Sequence, residues 1–256
     1  MLALDVEAHG VSYLAADGRG GLSSGSIGFA AGQGDGWRQA VEDAVYSTPP
    51  LLEERDRVVI AVHAPHFALL PCQVVDAGLA RRVMEASFTS LDGDLLVQEI
   101  DGSGAAVAMD VPGGLLGFLR RTFAGAVLLP HLVPLCSYCV KAYAEDTGCM
   151  HIALSQSEAH IVVVHSGKLM MANTFAFKAL EDVAYYALNM WKACSLESRR
   201  DRVLLSGANE LRMPLAEQLR QWIASVMPVM LPPEALRLGR EAVKLPFNLI
   251  TLALYD

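Results

Sequence analysis

The groups best able to do chemistry in this 256-residue chain are cysteines and histidines at short spacing. Cys136-Ser137-Tyr138-Cys139 has the C-x-x-C spacing that grips zinc or exchanges thiols. A structural zinc needs a second ligand pair, and Cys149 with His151 is the pair on offer. The alternative, adopted here, is two thiols on a helix packed against a sheet, where free cysteine behaves as a small hydrophobe. His63-Ala64-Pro65-His66 puts two imidazoles near a strand end, where α/β proteins bind ligands. Pro65 excludes a helical metallopeptidase pair, and a polar strand-end loop accounts for both residues. His151, His160 and His165 lie on one strand–turn–strand segment, with His151 and His165 on different strands where they could pair. Single strand histidines are more often simply satisfied polar residues.

The segment from Gly18 to Gly36 holds Gly18, Gly20, Gly21, Gly25, Gly28, Gly32, Gly34 and Gly36, but no phosphate-loop lysine. Flexible turns around an edge strand explain it better. No Gly-x-Ser-x-Gly elbow, P-loop or complete Gly-x-Gly-x-x-Gly occurs.

The elements that must carry these groups fall into two similar series. The first runs from Leu4 to Leu14, turns at Asp17-Gly18, and resumes over Gly25 to Phe29. A helix from Asp35 to Val45 and a strand from Asp56 to Val62 follow. The second runs from Ile152 to Val164, turns at Ser166-Gly167-Lys168, and resumes over Leu169 to Phe177. A helix from Leu180 to Cys194 and a strand from Asp201 to Leu205 follow. Ala8-His9 answers Ala159-His160, and Asp56-Arg57-Val58 answers Asp201-Arg202-Val203. An offset this long means a duplicated domain, because solenoid units run only about 20–50 residues. The runs Val58–Val62 and Ile161–Val164 are continuously apolar, as central strands covered on both faces must be.

Helices are expected over Val74–Phe88, Leu115–Phe123, Cys136–Glu145 and Leu211–Val226, and strands over Ala126–Leu132 and Asn248–Leu254. Asp94–Ile100 and Ala105–Val111 flank Asp101-Gly102-Ser103-Gly104, a hairpin signal. The first lobe is expected to span 1–148, with an insertion at about 89–124, and the second 149–256, divided at Thr147-Gly148.

Composition bounds the function. The chain is 53% hydrophobic, which excludes intrinsic disorder. Its net charge of -8, without clustered Lys and Arg, argues against nucleic acid. Ala124–Leu135, the most apolar stretch, is too short for a membrane span of roughly 20 residues and contains Pro130, His131 and Pro134. The start of the chain lacks the basic region of a signal peptide, and five cysteines are an odd count, so a cytoplasmic protein with reduced thiols is expected.

Two lobes, each a three-strand meander followed by alternating helix and strand, resemble the actin-like ATPase fold of actin, sugar kinases and large heat-shock chaperones. Three stretches are more specific: Gly167-Lys168-Leu169-Met170-Met171-Ala172-Asn173-Thr174-Phe175, Glu181-Asp182-Val183-Ala184-Tyr185-Tyr186 and Leu205-Ser206-Gly207. They are similar to a bacterial family of unknown function, found mainly in Bacteroidetes, with this fold. The likeness is strongest from about His151 to Trp222; the first lobe matches by element order and by Phe67-Ala68-Leu69-Leu70-Pro71.

The resemblance implies an α/β protein of two ribonuclease-H-like lobes with a nucleotide cleft between them. Active members open the first hairpin with a metal-holding Asp followed by small residues. Here Asp5 is present, but the turn is Glu7-Ala8-His9-Gly10, with an anionic side chain where phosphate would lie. The second hairpin, Ser155-Gln156-Ser157-Glu158, lacks both the Asp and the glycine. The adenosine loop, Ser206-Gly207-Ala208-Asn209, is half preserved. Phosphoryl transfer depends on positioned metal and donors, so a degenerate site with no catalytic residue and no metal ligand is expected. A non-catalytic binding or assembly module follows, recognising an unidentified protein partner or small ligand in the cleft, with no cofactor. The alternative is a weak ATPase or phosphotransferase. In it Asp5 would hold Mg²⁺ of Mg-ATP through water, Ser155 and Ser157 would approach phosphate, and Gly207-Ala208 would border adenine.

Overall fold

The computed structural model describes residues 1–16, 21–30, 35–91, 93–144, 147–238 and 245–255. The Asp17-Gly18 turn, Gly20, Gly32, Gly34 and Glu145 lie outside the described residues. The chain opens with β1 (Leu2–Glu7), β2 (Gly10–Ala16) and β3 (Leu22–Gly28), then α1 (Asp35–Tyr46), the one-turn α2 (Pro49–Leu52) and β4 (Val58–Val62). Next come β5 (Phe67–Pro71), α3 (Ala77–Ser87), β6 (Asp94–Ile100), β7 (Ala105–Val111), α4 (Leu115–Thr122), β8 (Val127–Pro130) and α5 (Leu132–Ala142). The second half holds β9 (Gly148–Leu154), β10 (Glu158–His165), β11 (Lys168–Ala176), α6 (Leu180–Ala193), β12 (Arg202–Ser206), α7 (Asn209–Leu219), β13 (Val226–Pro228) and α8 (Phe247–Ala253).

Two five-stranded sheets have the same order, β3-β2-β1-β4-β8 and β11-β10-β9-β12-β13. In each the meander is antiparallel and the later strands add in parallel. A third, antiparallel sheet, β5-β7-β6, draws its strands from 67–111, with the expected hairpin closing on Gly102 and Gly104 at positive φ. Although the sheets match, the histidines aligned by sequence do not. His9 lies in the β1–β2 turn, whereas His160 is the third residue of β10.

Strand alternation sorts side chains by size. On β1, Leu2, Leu4 and Val6 pack outward with Trp37, Val41 and Val45 of α1 and with α4. On β9 and β10, Met150, Ile152, Ile161 and Val163 face α6 and α7. The opposite faces carry smaller residues, Ala3, Ala61, Ala153 and Ala172, and pack against one shared layer of α5 and α8. That layer is shared crosswise: α5, from the first half, packs on β10 and β11 as well as on β6 of its own half, while α8, from the second, packs on β1, β2 and β4. The two helices also touch each other.

Three expected elements are corrected. The late strand over 248–254 is the helix α8, with Leu249, Ile250, Leu252 and Ala253 buried; a short apolar run does not distinguish the two by periodicity. The helix expected over 211–226 ends at Leu219, and Val226 instead pairs with Val203 to open β13. The helix expected from Cys136 begins at Leu132, because Pro134 falls in its first turn, where no intrahelical N–H is required.

Candidate functional site in the interlobe cleft

The parallel strands β1, β4 and β8 end side by side, and each end delivers a polar side chain. Asp5 shares the inward face of β1 with Ala3; His63 follows β4 and His131 follows β8. The backbone fixes both histidines: the His63 N–H donates to the Val6 carbonyl at 2.9 Å, and the His131 N–H to that of Val62 at 3.0 Å. From the facing sheet, Glu158 and His160 project from one side of β10, and Thr174 pairs with His160 from β11.

These side chains meet. Asp5 Oδ1 lies 2.8 Å from His63 Nε2, and Glu158 Oε2 lies 3.5 Å from His63 Nδ1. The Thr174 hydroxyl contacts His131 Nε2 at 2.8 Å and His160 Nδ1 at 2.9 Å. The His63 and His131 rings stack at 4.3 Å, with His160 at 5.4 and 5.2 Å from them. His63 Nδ1, His131 Nδ1 and His160 Nε2 are buried without a hydrogen bond.

Electrostatics divides the histidines. Burial pulls His63 down, but the charge and hydrogen bond of Asp5, with the Glu158 carboxylate, outweigh it and push the pKa up to about 10. Burial, reinforced by the His63 charge, lowers His131 strongly and His160 to about 4. Burial raises Glu7; burial also raises Glu158, but the His63 imidazolium at ion-pair distance outweighs it and lowers the carboxyl.

Of the residues expected in the cleft, Asp5 is in this cluster and Glu7 is beside it, while the Glu7 carbonyl accepts from Trp37 Nε1 at 3.0 Å. His9 is exposed, near enough for its charge to act on Glu7 and Glu158. Ser155 closes its own turn: its N–H donates to the Glu158 carbonyl at 2.9 Å, and its hydroxyl bonds both backbone groups of Glu158. Gln156 and Ser157 are exposed at the tip. Ser206 belongs to a second group, where its hydroxyl meets His151 Nε2 at 2.9 Å and Tyr143 meets His151 Nδ1 at 3.1 Å. Gly207 has φ +122°, and a Cβ there would stand 2.6 Å from the Leu154 carbonyl, so packing alone demands glycine. Ala208 is exposed before α7.

Both nitrogens of His151 are thus engaged, and the alternative zinc quartet with Cys136, Cys139 and Cys149 does not form. The three thiols are buried and in no disulfide, and burial pushes Cys136 and Cys139 up, as for inert packing groups. His66 packs on Phe88 instead of entering the cleft, and His165 meets Arg200 instead of His151. Sequence reasoning passed over His131 and Thr174 and left Glu158 and His160 without a role in the cleft. One signal was available: His63 and His131 each directly follow a strand of the parallel set, the edge where ligands of such sheets bind.

Two facing sheets of this order define a protein of the actin-like ATPase fold. A protein from Bacteroides thetaiotaomicron described as having that fold and unknown function superposes with a TM-score of 0.80 at 16% identity, over 98% of this chain and 95% of that one. The PilM-PilN type IV pilus biogenesis complex superposes at 0.63 with 13% identity, over 99% of this chain and 97% of that one. Within this class the chain belongs to the family described as protein of unknown function DUF3822, which matches residues 1–226. No curated protein matches it. Among the described residues no helix is long and apolar enough to cross a membrane.

Proposed function

We propose that this chain is a non-catalytic binding or assembly module that recognises a protein partner or small ligand through its two-lobe frame, its nucleotide site having degenerated. The observation that carries this reading is that the groups which would face a triphosphate are engaged with one another. Asp5 is bonded to His63, the Ser155 N–H is taken by the Glu158 carbonyl, and the Glu158 carboxylate leans on His63. Glu7 and Glu158 add anionic groups where phosphate would need donors. Residues so arranged do not fit Mg-ATP, and no phosphoryl-transfer step is derived through it. A precedent for partner binding is the solved complex of PilM with PilN, which shares this fold.

The test is thermal unfolding with Mg-ATP, because a ligand that binds the native state raises its stability. We expect no shift at millimolar nucleotide. A clear shift that is lost in Asp5→Asn overturns the reading in favour of a nucleotide binder.

A further inference from the structure

The cleft cluster contains more than an ion pair. Each of two histidines has one ring nitrogen fixed by a close neighbour and the other not so held. His63 Nε2 is held by Asp5 at 2.8 Å and His160 Nδ1 by Thr174 at 2.9 Å, while His160 Nε2 is buried without a hydrogen bond and His63 Nδ1 faces only the Glu158 carboxylate, through a proton that a bound metal ion would displace. Glu158 stands between lobes with its carboxylate 3.5 Å from the second nitrogen of His63. One ligand atom from each of His63, Glu158 and His160 lies within 4.8 Å of the others.

From this convergence we infer that His63, His160 and Glu158 form a binding site for a divalent transition-metal ion such as Zn²⁺, bridging the two lobes.

Three features of the surroundings match that chemistry. First, histidine ligands of metals typically donate their second N–H to a carboxylate or other acceptor, which fixes tautomer and ring orientation; Asp5 and Thr174 stand in those places. Second, two imidazoles with one carboxylate suit zinc or cobalt, whereas magnesium and calcium favour all-oxygen shells. Third, three protein ligands leave a fourth tetrahedral position. Glu158 is about a third exposed, so that position can open toward solvent, as in zinc sites that bind water or a ligand. Ligand atoms in a tetrahedral site with bonds of about 2.0–2.1 Å lie roughly 3.3 Å apart, so the three atoms, now within 4.8 Å of one another, would draw together on binding. The inference is independent of the proposed partner and of nucleotide, and the two tests have different readouts.

The experiment is titration of the chelator-stripped full chain with Co²⁺, read by its visible ligand-field absorption, and with Zn²⁺ by calorimetry. We expect one equivalent to bind, with Kd on the order of micromolar or tighter. Glu158→Gln should weaken binding at least tenfold, His160→Ala should abolish it, and Thr174→Val should weaken it by about 10–100-fold through the loss of positioning alone. Cys139→Ser should change nothing, and no sulfur-to-cobalt charge-transfer band should appear. Absence of binding by the native chain at millimolar Co²⁺, or equal affinity in Glu158→Gln, overturns the inference. Glu158 is partly solvent-exposed, so its variant keeps the test decisive even if His160→Ala fails to fold.

Discussion

His151 shows how a single buried side chain ties this molecule to pH. It is fully buried and neutral between Tyr143 and Ser206, and burial lowers its pKa to about 3. The unfolded chain therefore takes up a proton near pH 6.5 that the folded chain refuses until about pH 3. The depressed pKa costs no stability above about pH 6.5 and an increasing amount as the pH falls from there toward 3. Urea unfolding at a series of acidic pH values should show stability falling with pH, and His151→Gln should reduce that slope by up to about 1.4 kcal/mol per unit. A slope unchanged in the variant would assign the acid sensitivity elsewhere. Asp5 and the two hairpin turns could be located in the sequence because each sits at a fixed place on a hairpin. His131 and Thr174 were not, because their roles arise only when β8 and β11 from different sheets are brought together. Period-two alternation could put Glu158 and His160 on one face of β10 but could not say that His63 lies opposite.

At the scale of elements, the sequence succeeded where pattern and punctuation agreed. The hairpin at 101–104 and the helix from Leu180, opened by Asp182 accepting from the Lys178 and Ala179 N–H groups, are where their residues placed them. It failed at α8, whose apolar run is buried nearly all round between α5 and the first sheet, so that no polar stripe marks a helical period. The error has an energetic consequence. As a helix, α8 drives Leu252 into the common core with Ala3 and Leu14. Leu252→Ala should cost about 2–5 kcal/mol, with the dependence on denaturant unchanged, as for a cavity in a core that cannot collapse. A loss below about 1 kcal/mol in equilibrium unfolding would mean that α8 is only peripherally attached.

For the whole molecule, the two sheets of equal strand order were legible as two series of elements, but the way they are joined was not. Each half lends the other its inner helix, α5 going to the second sheet and α8 to the first. Separately produced fragments 1–147 and 148–255 should therefore each be insoluble or unfolded, with apolar Ala3 and Ala61 in one and Cys149 and Val162 in the other uncovered. Produced together, they should assemble into a native-like pair, detectable by co-purification and circular dichroism. Two independently folded fragments would contradict the exchanged arrangement. The same interlock bears on biosynthesis. A nascent chain that has emerged only as far as α5 has a helix with β6 against it but its second-sheet face uncovered, and a first sheet that is sealed only when α8 clears the ribosome. Until then an aggregation-prone surface is exposed, so yield in the cell should depend on chaperone supply and translation speed more than the stability of the finished protein would suggest.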